Sequence, residues 1–256
     1  MTRVKICGCR TPADALVAAE AGADFVGLMF AESRRRISVE DAAEIVRALG
    51  APVGGQELTA PPRAFRTEGE DLRSWFEQGA AALDRLLARK RPLTVGVFAN
   101  ANADEIVDIA DETGIDLIQL AGGEPWGACF MANRQVIKVV HVGDGQRPEG
   151  VLRKIEAGSA IAVLLDKGRD AGDSLDQVGG GSPFGGGGST FDWQIATSVA
   201  ASLPIWLAGG LNADNIVTAI QTVRPWCVDV SSGVESGGLK DHAKIRDFVA
   251  AAKATQ

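Results

Sequence analysis

Short, continuous apolar runs alternate with amphipathic segments along most of the chain. Val4–Cys7 and Phe25–Phe30 are two such runs, and runs of this length are typical of strands that are buried on both faces. The segment between them starts at Thr11, a good helix N-cap, and stops at Gly22, a residue that favours a helix C-terminus. This first stretch therefore predicts a strand, a helix and a second strand.

The same strand–helix unit recurs to the end of the chain. Ser38 caps a second helix that runs to about Leu49, and six more pairs follow it. They are Thr94–Phe98 with Ala103–Glu112, Asp116–Leu120 with a short helix, Val136–His141 with Glu149–Ala157, Ala160–Leu165 with Trp193–Ala201, Ile205–Ala208 with Ala213–Thr222, and Cys227–Val230 with Asp241–Ala252. Eight buried strands separated by helices predict an α/β fold, a single (β/α)8 TIM barrel domain over residues 1–256. An open doubly wound sheet is the alternative.

Two segments interrupt the repeat. Residues 51–92 begin with a stretch rich in Pro and Gly and continue with apolar residues at helical spacing, which predicts an amphipathic helix over 68–89. Because this insertion joins a helix to a strand, we expect it at the N-terminal end of the barrel. There it either covers the barrel floor or buries Trp75 and Phe76 against a second copy. The glycine-rich residues 178–190 follow the sixth strand and predict either a mobile lid or phosphate loop on the catalytic face, or a plain linker.

Composition excludes several classes of protein, because 256 residues that are 46% hydrophobic and 23% charged describe an ordinary globular chain. Lys and Arg number 26 against 33 Asp and Glu, and this negative balance argues against a nucleic-acid binder. The four cysteines form no CxxC pair and no His/Cys ligand spacing, so we expect neither zinc nor a disulfide framework. The opening MTRVKICG lacks a signal-peptide pattern and no run is long enough to span a membrane, so we expect a soluble cytoplasmic protein.

Glycines and serines at the ends of the last two strands favour an anion site, since barrel chemistry collects where strands end. Their backbone N–H groups, together with a helix predicted to open at Asn212, could cradle a phosphate. Two ordinary tight turns are the alternative. The candidates are Gly209, Gly210, Ser231, Ser232 and Gly233.

Three further strand ends carry groups suited to acid–base or anion chemistry. Cys7 is either a buried inert thiol or a base whose pKa nearby cations lower. Asp166 is either a loop-stabilising residue or a desolvated general acid. The run Arg34–Arg36 is either a solvated turn or the source of one arginine that clamps a carboxylate with two hydrogen bonds.

Several stretches of this sequence match one enzyme family. The most specific are KICG at Lys5–Gly8, GGGGSTFDW at Gly185–Trp193, LAGGLNADNI at Leu207–Ile216 and VDVSSGVES at Val228–Ser236. On these stretches the chain resembles the phosphoribosylanthranilate isomerases of tryptophan biosynthesis, from end to end apart from the insertion and the lengthened glycine loop. The resemblance implies a (β/α)8 barrel that converts N-(5-phosphoribosyl)anthranilate to 1-(2-carboxyphenylamino)-1-deoxyribulose 5-phosphate by an Amadori rearrangement.

The resemblance also implies a role for each candidate residue. Asp166 would be the general acid that protonates the ring oxygen, and Cys7 the general base that removes the C2′ proton. Arg35 would hold the anthranilate carboxylate, and Asp229 would contact the sugar or order the site. Gly209, Gly210 and Ser231 would bind the phosphate. No metal or organic cofactor is implied, because proton transfers are the whole chemistry, and the expected enzyme is a monomer or homodimer that takes a small phosphoribosyl substrate.

The sequence departs from the family pattern at three places. Ala121 stands where the family has a substrate-contacting histidine, Cys9 and Arg10 replace an apolar–threonine pair beside the base, and Arg34 and Arg36 replace a proline and a tyrosine-like residue. These departures leave two other functions open: a paralogue that isomerises another phosphoribosylated amine, and a non-catalytic phosphosugar-binding protein.

Overall fold

Eight parallel strands close into a barrel in the computed structural model, which describes residues 1–53, 72–143, 145–167 and 192–255. The strands are β1 (Arg3–Cys7), β2 (Phe25–Met29), β3 (Leu93–Phe98), β4 (Leu117–Leu120), β5 (Gln135–Val142), β6 (Ala162–Lys167), β7 (Ile205–Leu207) and β8 (Cys227–Val230). They follow one another in sequence order, and β8 pairs with β1 so that Asp229 lies opposite Lys5. The predicted TIM barrel is therefore confirmed and the open sheet is wrong. The glycine-rich loop 178–190 lies outside the described residues.

The α-helices of the described residues are α1 (Pro12–Ala21), α2 (Val39–Ala48), α3 (Leu72–Leu87), α4 (Ala103–Thr113), α5 (Pro148–Leu152), α6 (Trp193–Ala200), α7 (Ile216–Val223) and α8 (His242–Ala254). The helices other than α3 surround the barrel and pack their apolar faces on the outside of the sheet. The predicted cap of α1 is present as a capping box, in which Thr11 and Asp14 each accept a backbone hydrogen bond from the other. None of the helices among these described ranges is long and apolar enough to cross a membrane.

One connection agrees with the predicted pattern and two differ from it. A 3₁₀ helix (Trp126–Phe130) is the short helix predicted between β4 and β5. Helix α5 ends at Leu152 and not at Ala157, because the following amides of Lys154 and Ile155 bond to carbonyls only three residues back and tighten the chain into turns. After β8 the chain makes a second 3₁₀ helix (Ser232–Val234) and then a two-residue hairpin of β9 (Glu235–Ser236) and β10 (Leu239–Lys240), which the pattern did not predict.

Helix α3 packs on the barrel's N-terminal end. Its Trp75 and Phe76 are 6% and 1% exposed, and the Trp75 indole N–H donates to the carbonyl of Ala160, just before β6. Leu83 belongs to the apolar cluster that fills the barrel interior together with Leu117, Ile137 and Trp206. The apolar face of α3 is thus used within this chain and does not leave Trp75 and Phe76 exposed for a second copy.

The close approach of α3 to the barrel depends on Gly79. A Cβ atom placed on Gly79 would lie 2.1 Å from the backbone carbonyl oxygen of Ile161. We therefore expect Gly79→Ala to lower the free energy of unfolding by about 1–3 kcal/mol, although alanine is the better helix former. Gly150→Ala in α5 is the matched control, because a Cβ there meets only the end of the Arg153 side chain at 4.0 Å. Urea unfolding of both variants tests this, and equal stability of the two would contradict it.

Candidate active site

A cavity at the C-terminal end of the barrel collects most of the predicted site residues. It is lined by Cys7, Arg35, Asp166, Gly209, Gly210, Asp229, Ser231 and Ser232, together with apolar side chains from the intervening strands. Gly233 is not part of this lining. A Cβ atom on it would lie 1.9 Å from the carbonyl oxygen of Leu211, so its role is to let the chain after β8 pack closely on the chain after β7.

Cys7 lies next to a buried ion pair. Lys5 is fully buried, and its Nζ lies 2.9 Å from the Asp229 carboxylate on the neighbouring strand β8. A Cβ atom on Gly27 would lie 2.8 Å from Cys7 Sγ and 3.0 Å from Lys5 Nζ, so both atoms lie against the same glycine. Burial raises the pKa of the Cys7 thiol, whereas the charge of Lys5 and its hydrogen bond to the sulfur lower it. The ammonium therefore offsets part of the cost of forming a thiolate in this interior.

Lys5 keeps its proton in spite of complete burial. Desolvation alone would lower the pKa of Lys5, but the Asp229 carboxylate raises it above its ordinary value. One oxygen of Asp229, Oδ1, is buried and has no hydrogen-bond partner among the described residues. An unpaired carboxylate oxygen on the cavity wall is suited to accept a hydrogen bond from a ligand hydroxyl.

Asp166 has the electrostatics of a general acid. It lies within β6, which starts and ends two residues later than the predicted strand, so its carboxylate is held by the barrel and not by a loop. Burial first, and the nearby Asp229 carboxylate second, raise the pKa of Asp166 to about 7. Its Oδ1 accepts a hydrogen bond of 2.8 Å from the backbone N–H of Lys167, which acts in the opposite direction. The carboxyl group is therefore partly protonated near neutral pH.

Arg35 is buried and held by a carboxylate that the sequence analysis missed. Only 2% of Arg35 is exposed, and Glu235 receives hydrogen bonds from its Nε at 2.6 Å and its Nη2 at 3.1 Å. Glu235 also pairs with Arg34 at 2.7 Å and with Lys240 at 3.0 Å. Burial would raise the pKa of Glu235, but its bond to Arg35 and the charge of Lys240 lower it to about 2. The run Arg34–Arg36 was predicted to be either a solvated turn or the source of one arginine that clamps a carboxylate. Arg35 is buried and bonds to a carboxylate through two nitrogens, which fits the second alternative.

A pair of glycines in the sequence indicates the hairpin that brings Glu235 and Lys240 together. Gly237 and Gly238 both have positive φ, as a two-residue hairpin turn requires, and a Gly-Gly pair between short polar segments favours that turn. The hairpin places Glu235 directly opposite Lys240. Sequence separation hides their relation to Arg35, which is 200 positions away from Glu235.

The turn after β7 differs from the predicted helix N-terminus. Gly209 and Gly210 have φ values of +89° and +66°, so the chain turns sharply into the cavity wall there. Helix α7 begins only at Ile216, and the prediction that it opens at Asn212 is wrong. The Asn212 side chain accepts from the backbone N–H of Asn215, and the Asn215 side chain accepts from the backbone N–H of Asn212 and donates to the carbonyl of Gly210, which holds this segment as a local turn. The glycine turn thus lies before the start of α7 at Ile216, whereas Ser231 directly precedes the 3₁₀ helix Ser232–Val234.

The cavity wall next to β4 and β5 contains Ala121, one of the positions at which the sequence departs from the family pattern. Ala121 lines the cavity, and beside it Gln119 is 5% exposed with its Oε1 unpartnered among the described residues. His141 on β5 lies within 2.8 Å of the Ala121 carbonyl through Nε2 and pairs in register with Asp166. An imidazole is therefore present near the mouth although position 121 has none.

Two remaining expectations concern the other cysteines and metals. Cys9 is fully buried in the apolar cluster between strands and helices and is not among the described residues that line the cavity. Within the described ranges, no three His, Cys, Asp or Glu side chains are arranged as metal ligands.

Comparison with known proteins gives the same assignment for sequence and for fold. The family model described as N-(5'phosphoribosyl)anthranilate (PRA) isomerase matches residues 65–251. The chain is 38% identical to the N-(5'-phosphoribosyl)anthranilate isomerase of Dehalococcoides mccartyi, over 97% of this chain and 94% of that protein. It is 40% identical to the enzyme of the same name from Roseiflexus sp. strain RS-1, over 99% of both chains.

Solved structures agree with these relatives. Phosphoribosyl anthranilate isomerase from Thermotoga maritima is similar with a TM-score of 0.70 and 34% identity, covering 99% of this chain and all of that one. A phosphoribosyl anthranilate isomerase in complex with reduced 1-(o-carboxyphenylamino)-1-deoxyribulose 5-phosphate is similar with a TM-score of 0.67 and 32% identity, with the same coverage.

The raised pKa of Asp166 predicts a pH-dependent cost in stability. A carboxyl whose pKa is higher in the folded state stabilises the fold below pH 4 and loses that contribution as pH rises to about 7. Asp166→Asn does not titrate, so we expect its free energy of unfolding relative to the parent chain to increase between pH 4 and pH 8, by on the order of 1–3 kcal/mol. Urea unfolding of both proteins at the two pH values tests this, and a difference that does not change with pH would refute it.

Proposed function

The chain belongs to the N-(5'-phosphoribosyl)anthranilate isomerase family and is an isomerase of tryptophan biosynthesis, and from this premise we propose that Cys7 and Asp166 are its general base and general acid. The observation that carries the proposal is that a carboxyl with a pKa of about 7 and a cysteine beside a buried ammonium face one cavity. The similarity over nearly the full length of curated isomerases favours this activity over the paralogue and the non-catalytic alternative.

The first step is opening of the ribose ring. In its protonated form, Asp166 donates a proton to the furanose oxygen as the C1′–O bond breaks, and the nitrogen lone pair forms the C1′=N bond of a protonated Schiff base. A carboxyl that is half protonated at pH 7 can supply this proton without a large penalty, and burial is the first cause of that pKa.

The second step is proton removal at C2′. The Cys7 thiolate takes the C2′ proton, the C–H electron pair forms the C1′=C2′ bond, and the iminium nitrogen accepts the displaced π electrons to give a neutral enolamine. Tautomerisation then gives the C2′ ketone. Lys5 supports this step because its buried positive charge favours the thiolate, and Asp229 keeps Lys5 protonated.

The two ends of the substrate bind to different connections at the mouth. Arg35 holds the anthranilate carboxylate, and the turn at Gly209 and Gly210 together with Ser231 holds the phosphate. Ser232 lines the same part of the cavity and adds a hydroxyl. The unpartnered Oδ1 of Asp229 accepts a hydrogen bond from a sugar hydroxyl. Anchoring both ends fixes the reacting carbons between the acid and the base.

Location and assembly follow from the same assignment. We propose that the enzyme acts in the cytoplasm, where its biosynthetic substrate is made, and that it is a monomer or a homodimer. A similar Thermotoga maritima enzyme is described as dimeric.

Substitution of the acid and the base tests the assignment directly. We expect Cys7→Ser and Asp166→Asn each to lower kcat by about two to four orders of magnitude, because a serine hydroxyl is a far weaker base and an amide cannot donate the proton. The measurement is turnover of freshly generated N-(5'-phosphoribosyl)anthranilate, followed by fluorescence. Cys9→Ser is the matched control, since Cys9 is equally buried but outside the cavity lining, and it should keep kcat within a few-fold. Near-normal turnover by Cys7→Ser would remove the thiol from the mechanism.

The two pKa shifts also predict the form of the pH–rate profile. The productive form carries a protonated Asp166 and a Cys7 thiolate, and the pKa of the acid is lower than the raised pKa of the thiol. The population of this form rises with pH up to about 7, is constant between the two pKa values, and falls above the thiol's. We therefore expect kcat/KM to reach a plateau near pH 7 and to fall only at alkaline pH. In Asp166→Asn the residual rate should have no break at pH 7, and a parent profile that declines from pH 7 upward would contradict the ordering.

A further inference from the structure

We propose that Glu235 is a positioning residue that orients Arg35 for the substrate carboxylate, an inference that rests on the role of Arg35 proposed above. The hairpin of β9 and β10 holds Glu235 in place for this task.

Glu235 occupies one edge of the Arg35 guanidinium. Its Oε1 accepts from Nε at 2.6 Å and its Oε2 from Nη2 at 3.1 Å, so both carboxylate oxygens engage the side edge of the fork. The side chains of Arg35 and Glu235 are 2% and 5% exposed, and two charge-assisted bonds between buried planar groups fix the rotation of the guanidinium.

The other edge of Arg35 remains for a ligand. Nη1 and the outer hydrogen of Nη2 donate no bond to Glu235, and no hydrogen bond from Nη1 is found within the described ranges. These two nitrogens form the end edge of the fork, which matches a second carboxylate in the same two-bond geometry. Arg35 lines the cavity, and its stem packs so closely over Gly8 that a Cβ on that glycine would lie 2.7 Å from Arg35 Cδ. Gly8 lies against the stem of Arg35, and Glu235 holds the side edge of the guanidinium. The end edge is therefore left for the substrate.

The charge balance around Glu235 favours an anionic ligand. One carboxylate serves three cations, since Arg34 and Lys240 also pair with it, and their side chains are 34% and 2% exposed. An incoming carboxylate therefore enters a cluster that keeps an excess of positive charge after Glu235 is counted. Glu235 offsets part of the repulsion among these cations, so that they can pack closely, and the cluster as a whole stays positively charged.

The hairpin links this clamp to the phosphate side of the cavity. Lys240 lies opposite Glu235 and also donates to the carbonyl of Ser231 at 2.9 Å. The Ser231 hydroxyl donates in turn to the carbonyl of Cys7 at 3.0 Å. Two strands of two residues each thus connect the carboxylate clamp, the phosphate-side serine and the end of the strand that carries the base.

Two inhibitors that differ only in one carboxyl group test the proposal. The first is reduced 1-(o-carboxyphenylamino)-1-deoxyribulose 5-phosphate, and the second is its phenylamino counterpart without the carboxyl. We expect Glu235→Gln to weaken binding of the first by about tenfold to a hundredfold and of the second by less than about threefold, because a neutral amide cannot make both charge-assisted bonds to Arg35. Leu239→Gln in the same hairpin is the control, since Leu239 is 59% exposed, and both affinities should be unchanged.

Arg35→Ala separates the failure of this proposal from failure of the proposed function. It should lose the preference for the carboxylated inhibitor, and adding Glu235→Gln to it should cause no further loss of that preference. If Arg35→Ala keeps the preference, the role of Arg35 itself is wrong. If Arg35→Ala loses it while Glu235→Gln keeps it, or weakens both inhibitors equally, only the positioning role of Glu235 is overturned.

Folding of the variants is checked by thermal unfolding and by binding of the carboxyl-free inhibitor. Glu235→Gln leaves a buried arginine with one weakened partner and is the variant most at risk of not folding. In that case Glu235→Asp, which keeps the negative charge but draws the carboxylate back by one methylene, takes its place. A loss of affinity confined to the carboxylated inhibitor supports the proposal, and unchanged affinities or an equal loss for both inhibitors overturn it.

Discussion

The buried pair of Lys5 and Asp229 is the constraint on which the site depends. It joins β1 to β8, the two strands whose pairing closes the barrel, and it lies in register across that seam. Two charges in an apolar interior are costly to desolvate, so the pair is tolerated only because each partner is held by the other. Loss of either one would leave an uncompensated buried charge directly beneath the cavity. The seam that closes the barrel therefore also carries the positive charge that acts on Cys7.

The same burial that makes this pair costly also shifts the pKa values of the proposed acid and the proposed base. Desolvation is the largest cause of the raised pKa at both Cys7 and Asp166. At Asp166 it is reinforced by the charge of Asp229, which favours the protonated form that an acid needs. At Cys7 it is opposed by Lys5, which favours the thiolate that a base needs. The ion pair thus acts in opposite directions on the two pKa values. The Asp229 carboxylate is its stronger influence on Asp166, and the Lys5 ammonium is its stronger influence on Cys7.

Binding at the mouth follows a different principle from catalysis at its base. The proposed catalytic groups lie on barrel strands, whose positions the sheet fixes, whereas the proposed carboxylate clamp and phosphate-binding turn lie on the connections after β2, β7 and β8. Connections need extra supports to hold a side chain in one orientation, and the Asn212–Asn215 turn and the Glu235–Lys240 hairpin are such supports. The mouth also differs from the family pattern at Ala121, where His141 from the next strand supplies an imidazole beside the carbonyl of that residue.

The sequence alone determined the barrel and most of the candidate residues, since apolar periodicity, caps and strand-end positions are local properties. Cys7, Asp166 and the run Arg34–Arg36 were predicted from where their strands end, and the family resemblance implied roles for Arg35 and Asp229. The barrel brings these residues to one face. Only the tertiary structure identified Glu235 as the partner of Arg35, because the two are distant in sequence and no local pattern relates them. It also showed that Gly233 permits a close packing contact with Leu211, and it placed the start of α7 at Ile216. Side-chain hydrogen bonds and close backbone approaches depend on neighbours that only the folded chain supplies, and the pKa of each buried group is set by those same neighbours.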